Sequence, residues 1–231
     1  ERVVGGVVGF GDGDSGTVTG CYNTGFVTGI SYVGGVVGET IVHYSCNTTV
    51  TGCYNEGSVT GEEYVGGVVG YNDASGALTT TVTDCYNTGS VTGERVVGGV
   101  VGNSRSAYDR STTVANCYNT GIVNGNERVV GGVVGYNEGG TVTDCYNEGS
   151  ITGGNGVGGV VSENSGTVIN CYYNVGCCAN SNSYGIALTN EQMLRAESFE
   201  GFDFETVWTM DGNPGYPYPK LINNFQNCHG V

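Results

Sequence analysis

The chain has 231 residues and a net charge of −15, with one lysine (Lys220) and six arginines against 22 acidic residues, a balance that repels phosphate backbones and argues against nucleic acid as a partner. Forty-four glycines with three prolines and no G-X-Y period exclude collagen. Valine and threonine are abundant and helix formers scarce before residue 190, which favours an all-β chain, and no apolar run reaches the ~18 residues of a helical membrane span.

The first element, ERVVGGVVG at 1–9, recurs at 94–102 and 127–135. A start in mid-motif reads as a processed product or a piece of something longer. Its core, VGGVV, begins at Val4, Val33, Val65, Val97, Val130 and Val157. A second motif, CYN or once CYYN, begins at Cys21, Cys53, Cys85, Cys117, Cys145 and Cys171. The step from CYN to the next VGGVV is 12 residues in four cases and 13 in one, whereas the step from VGGVV to CYN runs from 14 to 20. One half of the unit is rigid and the other holds a variable loop, as a solenoid permits.

Each unit carries three β-like runs, in the fifth unit RVVGGVVG (128–135), TVTDCY (141–146) and GSITG (149–153), separated by Asn and Gly. This predicts a parallel β-solenoid (β-helix), right-handed by the general preference of parallel crossovers, of about six coils. At ~4.8 Å per coil the rod is roughly 29 Å long and equivalent residues form ladders. A propeller needs ~40 or more residues per blade, more than the unit supplies.

The variable loop of the first unit contains GDGDSG (11–16). Its GDSG matches the core of a trypsin-like nucleophile motif around Ser15, but no histidine precedes Ser15, so the stretch reads as a glycine-rich turn. Asp12 and Asp14 are weak calcium candidates, because no other unit repeats the pair. Next comes TVT (17–19), repeated at 49–51, 81–83 and 141–143 with TVA at 113–115 and TVI at 167–169. Such threonine rows resemble the ice-facing arrays of antifreeze proteins, and Ala115 and Ile169 break the row. Asn47-Thr48-Thr49 is the one N-glycosylation sequon, placed on a loop.

In register, Cys21, Cys53, Cys85, Cys117, Cys145 and Cys171 have Cα atoms ~4.8 Å apart with parallel Cβ vectors, too far between Cβ atoms for a disulfide. They are expected to be a stack of buried thiols. Tyr22, Tyr54, Tyr86, Tyr118, Tyr146 and Tyr172 form a second ladder, expected to point outward or lie along an edge, with the asparagine after each supplying a turn. Four cysteines lie off the ladder. Cys228 is a candidate to bridge Cys177 or Cys178, and Cys46 has no evident mate. Without a CxxC pair, and with His43 and His229 the only histidines, no metal site is assigned and no cofactor is implied.

After Cys178 the repeat stops, dividing the chain into a solenoid over 1–178 and a capping segment over 179–231. TNEQMLRAESF (189–199) has the spacing of a short helix, with Thr189 as N-cap and Gln192 at N3 in a capping box, and Met193 and Leu194 facing the last coil. Phe199, Trp208 and the three prolines follow. A solenoid end needs its strand edges covered, and helix and aromatics together read as that cap.

VGGVVGYNEGGTVTDCYNEGSITG (130–153) resembles the GLUG motif, a glycine-rich repeat of bacterial surface and secreted proteins, including the β-helical region of some IgA-cleaving metallopeptidases. Valine stands at Val133 where the motif usually has leucine, and Asn147 where it has alanine. The resemblance covers about residues 1–176 and implies an extracellular or cell-surface location. No HExxH is present, so peptidase activity does not carry over. The expectation is a non-enzymatic structural or adhesive module, a stalk or filament subunit, with copies of itself stacked head-to-tail or surface glycans and proteins as partners. The alternatives are a carbohydrate-binding or carbohydrate-cleaving β-helix, for which the sequence picks out no carboxylate pair, and a fragment of a larger surface peptidase.

Overall fold

Each unit breaks at two kinds of corner. The computed structural model, which describes residues 2–10, 16–40, 47–75, 77–107, 109–126, 129–154, 156–178, 184–211 and 218–222, resolves five short strands per coil where three runs were expected. VGGVVG splits at its double glycine, as in Glu63–Gly66 and Val69–Asp73. A Cβ on Gly66 would overlap the Val69 carbonyl, and one on Gly67 the Gly99 carbonyl and the Asn87 side chain, so only glycine can make this corner. TVTDCY splits one residue before the cysteine. Gly20, Gly52, Asp84, Asn116, Asp144 and Asn170 occupy that position in successive coils, all with φ between 49° and 62°. These are the residues that tolerate the left-handed region.

Successive coils pair in register and in parallel. The strands build five sheets along the rod, three of six strands, one of five and one of seven, so the fold is the parallel β-solenoid that the spacing predicts. Val65 lies on Val33 and Val97, Val82 on Val50 and Val114, and Tyr86 on Tyr54 and Tyr118. The interior is almost entirely valine and cysteine, stacked on copies of themselves. Small side chains suit a narrow coil, in which each buried valine contributes about 1.5–3 kcal/mol.

The solenoid's hydrogen bonding does not stop with the repeat. Ile186–Leu188 adds a seventh strand to the tyrosine sheet, parallel to Tyr172–Asn174. Thr189 then caps the helix Asn190–Met193: its side chain accepts from the Gln192 N–H while the Gln192 side chain accepts from the Thr189 N–H. Met193 is buried, but Leu194 is 46% exposed, against the expectation that both face the last coil. The helix has a single turn, so its C-cap residue rotates off the packed face. Among the described residues no helix is long and apolar enough to cross a membrane.

Candidate interaction surface

The tyrosine ladder is the most regular feature on the flank. Tyr22, Tyr54, Tyr86, Tyr118 and Tyr146 stack with ring centroids 4.8–5.2 Å apart and planes within 7° of parallel. Its two halves differ. Tyr118, Tyr146 and Tyr172 point away from the coil interior, as expected, yet are buried, because Phe199, Phe202, Trp208 and Leu221 lie over them. Phe199 packs edge-on against Tyr146 and Tyr172, and Trp208 tilts over Tyr118 and Tyr146 while stacking on Phe202 at 4.7 Å. The Tyr146 hydroxyl donates to the Pro219 carbonyl at 2.6 Å and the Tyr172 hydroxyl to the Glu200 carbonyl at 2.8 Å. Trp208 and its neighbours thus cover the side of the last coils, and Ile186–Leu188 covers one strand edge.

The other half of the ladder faces solvent. Tyr22 is 45% exposed, Tyr54 and Tyr86 are half-buried, and nearby in sequence Phe26 is 90% exposed. Stacking uses up the ring faces, so what the strip presents is ring edges and hydroxyls.

The cysteines and asparagines of CYN point inward. Cys53, Cys85, Cys117, Cys145 and Cys171 are buried, and Cys21, in the first coil, is half-buried. Each thiol donates to carbonyls, Cys85 for example to Thr83 at 3.1 Å and to Val50 of the preceding coil at 3.7 Å. Burial holds the Cys85 and Cys145 thiols well above the ordinary cysteine range, and Cys53 is raised by its contact with Cys85 and then by burial. The asparagine was read as a turn residue, and the Oδ1 of Asn23 and of Asn119 does accept from the N–H two residues on; the structure adds a second role. Asn23, Asn55, Asn87, Asn119 and Asn147 form a ladder in which each Nδ2 donates to the next Oδ1 at 2.7–2.8 Å and to a carbonyl two residues on at 2.7–2.9 Å. In the sixth copy Tyr173 takes the ladder position over Asn147. The displaced Asn174 caps the 3-10 turn Val175–Cys177 and donates to Asn190.

A polar cluster on another face escaped the sequence reading. Tyr32 and Tyr64 stack at 5.3 Å, each with positive φ (51° and 53°), and Tyr71 meets both edge-on. A bulky residue in that region is strained, and such strain gathers at functional sites. Glu39 pairs in register with Tyr71. Burial, and secondarily Asp73, raises the Glu39 carboxyl above the usual glutamate range. Asp73 is already engaged: it accepts from the Ser75 N–H at 2.8 Å and hydroxyl at 2.6 Å, and it lies in register with Arg105. Arg105 in turn hydrogen-bonds Tyr71 and approaches Glu138 at 3.6 Å. One signal was available, since Glu39 and Asp73 stand in the last two positions of the strands Val37–Thr40 and Val69–Asp73, just before the variable loops.

The remaining candidates fall as follows. Asp12, Asp14, Ser15, His43, Cys46, Cys228 and His229 lie outside the described residues. The Cys177 thiol donates to the Cys178 sulfur at 3.3 Å, and the expected bridge to Cys228 ends outside the described residues. Asp84 and Asp144 accept from Asn116 and Asn170, which leaves them as ladder residues. Asn47 opens the strand Asn47–Thr51 and accepts from Thr79, so the sequon sits in a strand and not on a loop. The outer face of the threonine sheet carries Thr17, Thr49, Thr81, Thr113, Thr141 and Thr167 in one unbroken column, with the interruptions at Ala115 and Ile169 in the column beside it. Among the described residues no three His, Cys, Asp or Glu converge as metal ligands.

The family model of the GLUG motif matches residues 61–92 and 126–152, one coil each. No curated protein sequence matches the chain. Among solved structures, the chain is similar to a provisionally assigned immunoglobulin A1 protease from Bacteroides ovatus, at 18% identity and a TM-score of 0.58, over 91% of this chain and 76% of that one. At that identity the likeness speaks for the fold alone.

Proposed function

From its GLUG repeats we propose that this chain is a non-enzymatic rod module of a secreted or cell-surface protein, a stalk or adhesive spacer in which the segment after residue 178 locks the last coils. The observation that carries this reading is where the repeated polar groups go. The thiols bond carbonyls, the asparagines bond asparagines and the tyrosines stack on tyrosines. In the CYN motif, repetition serves the rod. The glycine-rich ladder resists unwinding because every coil is bonded to its neighbours. Partners of the rod, whether a second copy or a host or cell-surface glycan or protein, engage the exposed flank.

One observation favours a second reading. Glu39, raised and half-buried beside Asp73 and Tyr71, has the character of a general acid in a carbohydrate-cleaving site. Incubating the chain with a polysaccharide panel and measuring new reducing ends separates the two. The rod reading expects no turnover, and turnover abolished by Glu39→Gln overturns it. The relationship to the B. ovatus fold also suits a third reading, a rod carried within a larger surface peptidase, which the flanking coding sequence decides.

A further inference from the structure

Cys177 and Cys178 stand at the junction between the last coil and the segment that covers it. Cys177 is buried and ends a 3-10 turn, while Cys178 is partly exposed and extended, with φ −155° and ψ 142°. Their sulfurs are 3.3 Å apart, and Cys177 is the donor. The Cys177 thiol is also bonded by the Asn147 side chain, the last amide of the buried asparagine ladder. The pair is therefore held at both levels: the turn capped by Asn174 fixes its backbone, and the ladder fixes the inner sulfur.

We propose that Cys177 and Cys178 form a thiol–disulfide exchange site that takes small-molecule disulfides. The outer sulfur is the point of entry. The Cys178 thiolate attacks one sulfur of R–S–S–R, forming a Cys178–S–S–R mixed disulfide and releasing R–S⁻. Cys177, after giving up its proton, attacks the Cys178 sulfur, forming the Cys177–Cys178 bond and releasing the second R–S⁻. Two cysteine thiols are oxidised by two electrons, the small disulfide is reduced to two thiols, and the two protons end on those thiols. The inner thiol needs almost no movement to do this, because it already touches the sulfur it attacks.

Backbone geometry sets the character of the product. The two Cα atoms, joined by one trans peptide, sit ~3.8 Å apart, shorter than the ~4.4–6.8 Å that disulfides prefer. A bond closed across that gap is strained and readily reduced, which makes it a reversible couple and not a structural staple. This distinguishes the pair from the cysteine ladder, whose members each bond carbonyls inside the core.

The test equilibrates the full chain in mixtures of oxidised and reduced glutathione, quenches in acid, alkylates under denaturing conditions and maps the peptide containing residues 177–178. The expected result is a peptide lighter by two hydrogens with neither cysteine alkylated, fully reversed by excess reduced glutathione. In Cys177→Ser, the glutathione adduct accumulates on Cys178 instead. Three results overturn the proposal: both thiols still alkylated after oxidised glutathione, a stable adduct on Cys178 in the unaltered chain, or either cysteine bridged to Cys228.

Discussion

Tyr146 and Pro219 are joined by a hydrogen bond of 2.6 Å, hydroxyl to carbonyl, across 73 residues of chain. The bond pins the covering segment to a ladder that the repeats would build without it. Tyr146→Phe keeps the stack and removes the bond, leaving the carbonyl in a buried site. We expect a loss of about 1–3 kcal/mol in denaturant unfolding, while Tyr22→Phe, in the exposed half, changes little. Trp208→Ala removes a fully buried ring and is expected to cost about 3–5 kcal/mol.

The asparagine ladder gives a sharper contrast. Asn87→Ala removes one of the two hydrogen bonds made by Asn55 Nδ2 and by Asn119 Oδ1, leaving each its local partner, so a loss of about 1–3 kcal/mol is expected in the same measurement. Gly67→Ala meets the Asn87 side chain and the Gly99 backbone at once and is expected to prevent the coil from closing, read as loss of soluble folded protein. Gly20→Ala, at φ 61° with nothing near the new methyl, is expected to cost only the left-handed penalty of about 1–2 kcal/mol.

Stability should respond to pH in two opposed ways. Glu39 and Glu148 are raised by burial, so each favours the fold in its protonated form. Their contribution is full below the unfolded value of 4.5 and is lost as pH rises through the raised value. Asp203 is lowered by hydrogen bonds from Thr206 and Glu205, and Glu191 by the first turn of its helix. Their contributions are present above the ordinary carboxylate range and lost as pH falls through the lowered values. The melting temperature is therefore expected to rise from neutral to mildly acidic pH and to fall in stronger acid. Glu39→Gln should raise it at neutral pH and flatten the first limb.

Thiol labelling should follow burial. Among the described cysteines, timed alkylation of the native chain with mapping by mass spectrometry is expected to reach Cys178 and Cys21 first and to leave Cys53, Cys85, Cys117, Cys145 and Cys171 protected until unfolding. Rapid native labelling of the buried five would contradict the packing described above.

Much of the fold was legible because its information is periodic. Twelve residues from CYN to VGGVV, repeated, leave one way to wind the chain, and the GLUG resemblance rests on those same residues. What was not legible depends on contacts that the period does not contain. Asn87 reads as a turn residue by propensity, yet its amide finds an identical amide one coil away, and the left-handed corner falls to Asp84 instead. The burial of Tyr118, Tyr146 and Tyr172 comes from Phe199 and Trp208, distant in sequence and outside every repeat. Glu39 and Asp73 come together at the edge of loops whose length varies, where spacing carries no signal.

Consider last the corner at Gly67, which admits no side chain because the neighbouring coil supplies the same backbone at the same place. Each coil is thus a template for the next, and removing 32 residues, the step from Val33 to Val65 and from Val65 to Val97, leaves two faces that already match. Length in such a protein is quantised and heritable: recombination between copies adds or subtracts whole increments of reach, and the chain can be lengthened without being redesigned.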